Sequence, residues 1–399
     1  MRNDRIVTAD SVAEISLDEL IREEDNEHPY ESDLSQLSAE EKERMVHSGV
    51  DPDSDERTGT FIMKDQTVTH CNIGQPGVEL LSTQQALEKY DGLKEYWWKQ
   101  LKPDADRYTR HVKDHDARGY FIRIAPGVES VFPVQSCLFL DHPGVVQSVH
   151  NIVIAEENSE IEIITGCTAH GEMARGGAHL GVSEIYVKKG AKVTYSMIHN
   201  WSENIQVRPR TGIIVEEGGT FISNYICLKP VKDIQMNPIA RLVGKGATAL
   251  FNSIIVARPG SNLDIGSRVY LEAEDTRTEI LSRALTTGGN IIARGLIVGE
   301  TNGTKGHLEC QGLVLDDRGR IYTIPELDGR ASGVELSHEA AVGKIDQEEI
   351  EYLMARGLDE QKAIGVIVHG FLNAEMEGLP RVLKKEIDEA VDIIREDAF

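Results

Sequence analysis

Aromatic side chains are scarce in this chain, at 6% of its 399 residues. Cationic residues are outnumbered, with 42 Lys and Arg against 66 Asp and Glu, and the formal net charge is −24. A surface of that sign repels phosphate backbones and excludes nucleic acid as the expected partner. Half of the excess lies in residues 1–60, where 18 acidic face 6 basic side chains, a pattern that predicts a solvated flank. No apolar run approaches 18 residues, and the N-terminus carries no signal-peptide pattern, so neither a membrane span nor secretion is expected. The five cysteines (71, 137, 167, 227 and 310) form no CxxC pair. That excludes zinc-ribbon and thioredoxin chemistry and points to reduced thiols in the cytoplasm. There is no GxxxxGK followed by Ser or Thr, no GxSxG and no HExxH. The chain is therefore expected to bind no nucleotide itself, and any ATP used in its process must be bound by another subunit.

Glycine, by contrast, is plentiful at 36 residues, which suits a turn-rich β protein. The glycines are periodic. EIYVKKGAKVTY, GIIVEEGGTFIS and ARLVGKGATALF align on Gly190, Gly218 and Gly246, two intervals of 28 residues. An earlier copy, IVIAEENSEIEI, has Asn158 in the glycine position, and a later one, GLVLDDRGRIYT, has Gly319 one place further on. Asn shares glycine's tolerance of left-handed backbone. Each unit reads as strand, tight turn, strand, and such a unit must stack on neighbours to cover its apolar face. A parallel β-helix and a sandwich of hairpins both fit that pattern.

The flanks are different. Residues 10–24 predict an amphipathic helix, with Ala13, Leu17, Leu20 and Ile21 on one side. Ser38 and Glu41 form a capping-box pattern, residues 51–58 a turn-rich break, and residues 82–101 a further helix containing Trp97, which with Trp98 reads as packing. Beyond the repeats, Asp346 and Asp359 cap two helices, Gly357 closes the first, and Pro380 opens a third. The expected divisions are 1–58 (acidic, partly helical), 59–125 (mixed), 126–343 (β core) and 344–399 (helical).

Chemistry concentrates in the last repeats. Cys310 lies in a strand-like run, and Ser337, His338 and Glu339 follow before the chain turns helical. Thiolate, imidazole and carboxylate are the side-chain ligand types that iron accepts. The same residues also fit a buried small hydrophobe and a capped helix start. Cys167, His170 and His179 form C-x2-H-x8-H, a second metal-compatible spacing that equally suits a strand-end cysteine with surface histidines.

Cys310, the run Ser337-His338-Glu339-Ala340, Gly343-Lys344-Ile345 and Leu353–Gly357 resemble the C-terminal half of the SufB/SufD family, the scaffold proteins of the SUF iron–sulfur cluster assembly system. Gly166-Cys167-Thr168-Ala169, with His179, Glu184 and Asn200-Trp201, is a second match, and the His-Glu pair resembles a compact SufB. The resemblance implies a mainly β fold: a right-handed parallel β-helix core with an N-terminal mixed or helical region and a C-terminal helical domain. It implies a scaffold for the assembly and transfer of nascent clusters rather than an enzyme, with a SufC-like ABC ATPase docked on the C-terminal helices. A transient iron–sulfur cluster would be held by Cys310, His338 and Glu339, with Ser337 and His179 as secondary candidates. Cys167 would accept sulfur, and the site would lie between two chains, as a homodimer or a SufB–SufD-like heterodimer. Where bacterial SufB proteins carry an Arg and a Glu upstream of Cys167, this chain has Gln147, His150 and Asn151. The interval of 28 between Cys310 and His338 matches the repeat, and the expected arrangement puts Glu339 beside Cys310 and His338 across a two-fold axis. A β-helix enzyme acting on acidic polysaccharide and an inert structural adaptor are the competing readings.

Overall fold

The computed structural model describes residues 12–20, 28–115, 118–170, 176–372, 388 and 391. The repeats stack as a parallel β-helix. In one sheet the strand Glu160–Ala169 is followed by those starting at Lys192, Thr220, Thr248, Arg277, Lys305 and Glu335, each parallel to the last. Between them the chain crosses to a second sheet, where Asn262–Leu271, Asn290–Gly299 and Arg320–Gly329 stack in the same sense. Parallel register removes the hairpin sandwich from the two architectures the repeat allowed. Antiparallel pairs occur at the start of the stack, between Gly59–Lys64 and Thr67–Ile73 and between Val78–Ser82 and Tyr120–Ile124.

The turns work as the repeat implied. Gly190, Gly218 and Gly246 have φ of +67°, +63° and +71°, and Asn158 adopts +56°. Gly319 does not share this conformation; a Cβ there would lie 2.3 Å from Thr286 Oγ1, so close approach explains that glycine. Alternate residues of each strand point inward, and Ile185, Val193, Ile213 and Phe221 are fully buried between the sheets. Each such side chain contributes about 1.5–3 kcal/mol on burial. The final strands, Arg320–Gly329 and Glu335–Gly343, are mostly exposed, and no described strand pairs with their outer edges.

The flanking helices follow their caps. Ser38 and Glu41 complete the reciprocal box on Ala39–His47, and Asp346 caps Gln347–Met354. Glu360–Leu372 lays Val368 and Leu372 against Ile226, Ile254 and Leu285 on the outer face of the first sheet. Two helical expectations need correction. Within 12–20 the only helix is a single 3-10 turn, Leu17–Glu19, because Ile15 and Leu17 insert beside Tyr108 and Val112 instead of forming an exposed stripe; residues 21–24 fall outside the described part. The 82–101 helix stops at Lys89, gives way to a 3-10 turn at Asp91–Glu95, and reverses at Trp98 (φ +56°). The Glu184 carboxylate takes the amides of Trp98, Lys99 and Gln100, each at 2.6 Å, and so holds the chain out of helix. The third C-terminal helix lies outside the described residues apart from 388 and 391, both helical. No described helix is long and apolar enough to cross a membrane.

Candidate metal centre

Cys310 sits on the penultimate rung of the first sheet, with Ser282 on one side and Ala340 on the other. It points inward with Leu308 and is 3% exposed. Burial pushes its thiol up to about 11, and the charge of Glu309 adds to this. The terminal strand carries the other candidates. His338 pairs with Leu308, so it shares the inner face with Cys310, and Glu339 pairs with Glu309 on the outer face. Ser337 is also on the outer face, where its hydroxyl lies 2.9 Å from His307 Nδ1. The expected pairing is therefore reversed: His338, rather than Glu339, shares a face with Cys310 in one chain.

The face follows from parity, since any even rung interval puts His338 on the side of Cys310 and Glu339 on the other, while a change of rung length sets the neighbour. Arg277 pairs with Lys305, an interval of 28, but Lys305 pairs with Glu335, an interval of 30. The two extra residues lie in the turn 315–319, which replaces the three-residue turn 287–289 of the rung before. Cys310 consequently faces Ala340, and His338 is its diagonal neighbour, about 8 Å away Cα to Cα. Glu309, opposite Glu339, is occupied by Gln311 Nε2 at 2.7 Å and Arg283 Nη1 at 3.1 Å. Cys310, His338 and Glu339 do not converge on one point within a single chain, yet His338 and Glu339 are both exposed on the edge strand.

Cys167 lies deep in the same interior. It pairs with Leu138 and His199, is fully buried, and its thiol is driven well above the ordinary range by burial and by the nearby Cys137. As folded it is a poor nucleophile. The C-x2-H-x8-H spacing does not form a ligand set: His170 is at the surface near Glu40, while His179 stands in the other sheet. His179 Nδ1 lies 2.8 Å from Gln147 Oε1, and burial lowers its pKa to about 3, so it is neutral. Its ring is 5.3 Å from Trp201, which is 5.5 Å from His199, whose Nδ1 meets the Tyr225 hydroxyl at 2.9 Å. Gln147, named above only as a departure, thus fixes His179 on the inner side. His150 is bound to Glu184 at 2.9 Å and stacked by Trp97 at 3.8 Å, so it is part of the outer packing.

One inward column connects the two cysteine regions. Register aligns Thr165, Met197, Tyr225, Ser253, Ser282 and Cys310 on successive rungs, and Cys167 follows Thr165 by two on the same face. Met197, Tyr225, Ser253 and Ser282 line an internal cavity. Sequence reading missed Tyr225, Ser253 and Ser282; the 28-residue repeat was the signal, since they recur at 28 and 29 residues on the same inward column.

Comparison with known proteins identifies a family. The family described as "SUF system FeS cluster assembly, SufBD core domain" matches residues 138–371. An iron–sulfur cluster assembly SufBD family protein of Archaeoglobus fulgidus is 51% identical over 357 residues, covering 90% of this chain and 96% of its own. One from Methanothermobacter thermautotrophicus is 46% identical over 385 residues, covering 95% and 94%. The iron–sulfur cluster assembly protein SufB of Bacillus subtilis is 28% identical over 321 residues, covering 79% and 68%.

Proposed function

The chain belongs to the SufBD family of iron–sulfur cluster assembly proteins, and from that premise we propose that it is the scaffold on which a nascent cluster is built and from which it is handed on. The observation that carries the reading is the position of Cys310: an inward thiol one rung from an end on which no described strand pairs, sharing a face with His338. The cluster is cargo. Four thiolates hold a cluster permanently; one thiolate with an imidazole and a carboxylate is a weaker set, suited to release. Glu339 is the carboxylate, and because it lies on the opposite face it joins when a second chain reshapes the edge strand or supplies its own copy. Two chains pairing along Glu335–Gly343 make the simplest assembly, a homodimer, and a SufB–SufD-like heterodimer would use the same edge. Ser337 orients His307 beside this site. Cys167 accepts the outer sulfur of a donor persulfide, whose thiolate leaves, and two electrons from an external thiol or flavin reductant release that sulfur as hydrosulfide into the inward column past Tyr225 and Ser282, with neutral His179 bordering the entry. Deprotonation of Cys167 requires local opening, since its thiol is buried.

A SufC-like ABC ATPase supplies ATP hydrolysis and docks on the C-terminal helices. Ile364 and Phe371 on these helices pack partly against the β-helix. The docking face is therefore assigned to the exposed Tyr352, Met354 and Val366. The five free cysteines suit the reducing cytoplasm. Family membership favours the scaffold over the polysaccharide enzyme.

Anaerobic loading with ferrous iron and sulfide tests the scaffold. The parent protein should develop the visible absorption of a cluster, and Cys310→Ala should lose it while unfolding at nearly the same temperature, because a sulfur atom contributes only about 1 kcal/mol of packing. Full loading of soluble Cys310→Ala rejects the site. No loading of the parent favours the adaptor reading.

A further inference from the structure

A second constellation stands apart from Cys310, at the first rungs of the stack. The turn between Gly59–Lys64 and Thr67–Ile73 presents Asp65, with φ of +50° and its side chain 2% exposed. Its Oδ1 accepts the amides of Asp141 and His142 at 2.8 and 3.3 Å, its backbone oxygen accepts Gln147 Nε2 at 2.8 Å, and its amide donates to Phe139 O at 2.7 Å. The carboxylate is thereby fixed with Oδ2 turned outward. His28 Nε2 lies 3.0 Å and His142 Nδ1 2.6 Å from that oxygen, and Asp141 Oδ2 is 3.8 Å from His28 Nδ1. One donor atom from each of the four residues lies within 4.8 Å of all the others.

We propose that His28, Asp65, Asp141 and His142 bind a divalent transition-metal ion of the zinc and ferrous class. Two imidazole nitrogens with two carboxylate oxygens suit a borderline ion, whereas calcium and magnesium take oxygen sets. With neutral imidazoles the set carries −2, which one such ion neutralises. Hydrogen bonding alone explains Asp65, but it does not explain Asp141, whose carboxylate stands beside an imidazole at a distance too long for a hydrogen bond. Tetrahedral donors about 2.0–2.1 Å from zinc are about 3.4 Å from one another. The cluster reaches that spacing by closing its widest pair and opening the Asp65–His142 contact. The supporting hydrogen bonds to Asp65 are the kind that orient metal ligands. Exposure rises from Asp65 through His28 (11%) and Asp141 (28%) to His142 (40%), which gives the ion a route in. The ion would tie the segment at His28 to the strands ending at Lys64 and Leu140.

The test uses full-length Cys310→Ala, stripped with chelator and titrated with Co2+ alone. The expected result is one Co2+ per chain with the visible bands of a four-coordinate nitrogen–oxygen site and no sulfur charge-transfer band. His28→Gln with His142→Gln should weaken binding at least about a hundredfold, since loss of mere supporting groups costs 10–100-fold. Asp141→Asn, which leaves the Asp65 hydrogen bonds in place and keeps the fold testable, should weaken it about tenfold or more. Unchanged affinity in either variant, a sulfur band, or no binding by the parent at about millimolar Co2+ overturns the site. The Cys310→Ala background keeps this outcome separate from that of the cluster scaffold.

Discussion

To bind iron as proposed, Cys310 must lose a proton, and burial holds that proton on. With the thiol raised to about 11, nearly all of it is protonated at neutral pH. A metal that needs the thiolate therefore competes with one proton, and its apparent affinity rises about tenfold per pH unit below that value. Between about pH 7 and 8, Co2+ binding to Cys310, read by its sulfur-to-metal band, should strengthen about tenfold. The Cys310→Ala protein should lose the band and this pH-dependent component together. A flat profile in the parent would mean that another group holds the metal. Cys167 is the more extreme case. It is shielded from solvent on every side and has Cys137 near enough to oppose its charge. The contrast fits a division of labour in which Cys310 stands near the open end and Cys167 is reached through the interior.

At the scale of strands and turns, glycine has two separate uses that substitution can distinguish. Gly218 has φ of +63° and only open space where a Cβ would stand, so Gly218→Ala should cost only backbone strain, about 1–2 kcal/mol in chemical denaturation. Gly244 has ordinary backbone, but a Cβ there would lie 1.9 Å from the amide nitrogen of Glu217. Gly244→Ala should cost several times more, because backbone must move; equal losses for the two would refute the distinction. The left-handed turns were legible in the sequence because an L-residue other than Asn or Gly is rarely found there, and Asn158 fits the pattern. The stacking direction was not, since a tight turn between two strands is locally the same in a hairpin and in a coil of rungs. The placing of Glu339 beside Cys310 failed for a different reason: an even rung interval keeps His338 on the face of Cys310 and Glu339 on the other, and the two residues added in the turn 315–319 moved His338 only from opposite Cys310 to its diagonal. Trp97 and Trp98 were correctly read as packing, but the helix around them was not, because the carboxylate that breaks it is Glu184, some 85 residues away. Glu360–Leu372 makes a further prediction. Val366 is 53% exposed while Val368 is fully buried against the β-helix. Val366→Glu should abolish co-purification with the proposed ATPase partner and leave stability unchanged, whereas Val368→Ala should cost about 1–3 kcal/mol. Retained ATPase binding by Val366→Glu would move the docking face elsewhere.

Among the described residues, the stack of rungs ends open. Glu335–Gly343 closes the first sheet and Arg320–Gly329 the second, and among the described residues nothing covers the outer edge of either. Exposed edges of this kind are templates for another strand, and a second copy of the same edge satisfies its own backbone groups by symmetry. Charge opposes that meeting. The chain carries −24, and the terminal strands themselves present Glu326, Asp328, Glu335 and Glu339 against Arg320. Backbone hydrogen bonds between strands are little affected by salt, whereas repulsion between two such acidic ends is screened over a Debye length of about 10 Å at 0.1 M and about 3 Å at 1 M. Dimerisation along this edge should therefore tighten as salt rises, the opposite of an interface held by ion pairs. Sedimentation from about 0.05 to 0.5 M NaCl should show a growing dimer fraction at fixed protein concentration. Glu335→Lys with Glu339→Lys should weaken the salt dependence by removing like charge at the seam. A dimer that dissociates as salt rises would place the interface on some other surface, and with it the second set of cluster ligands.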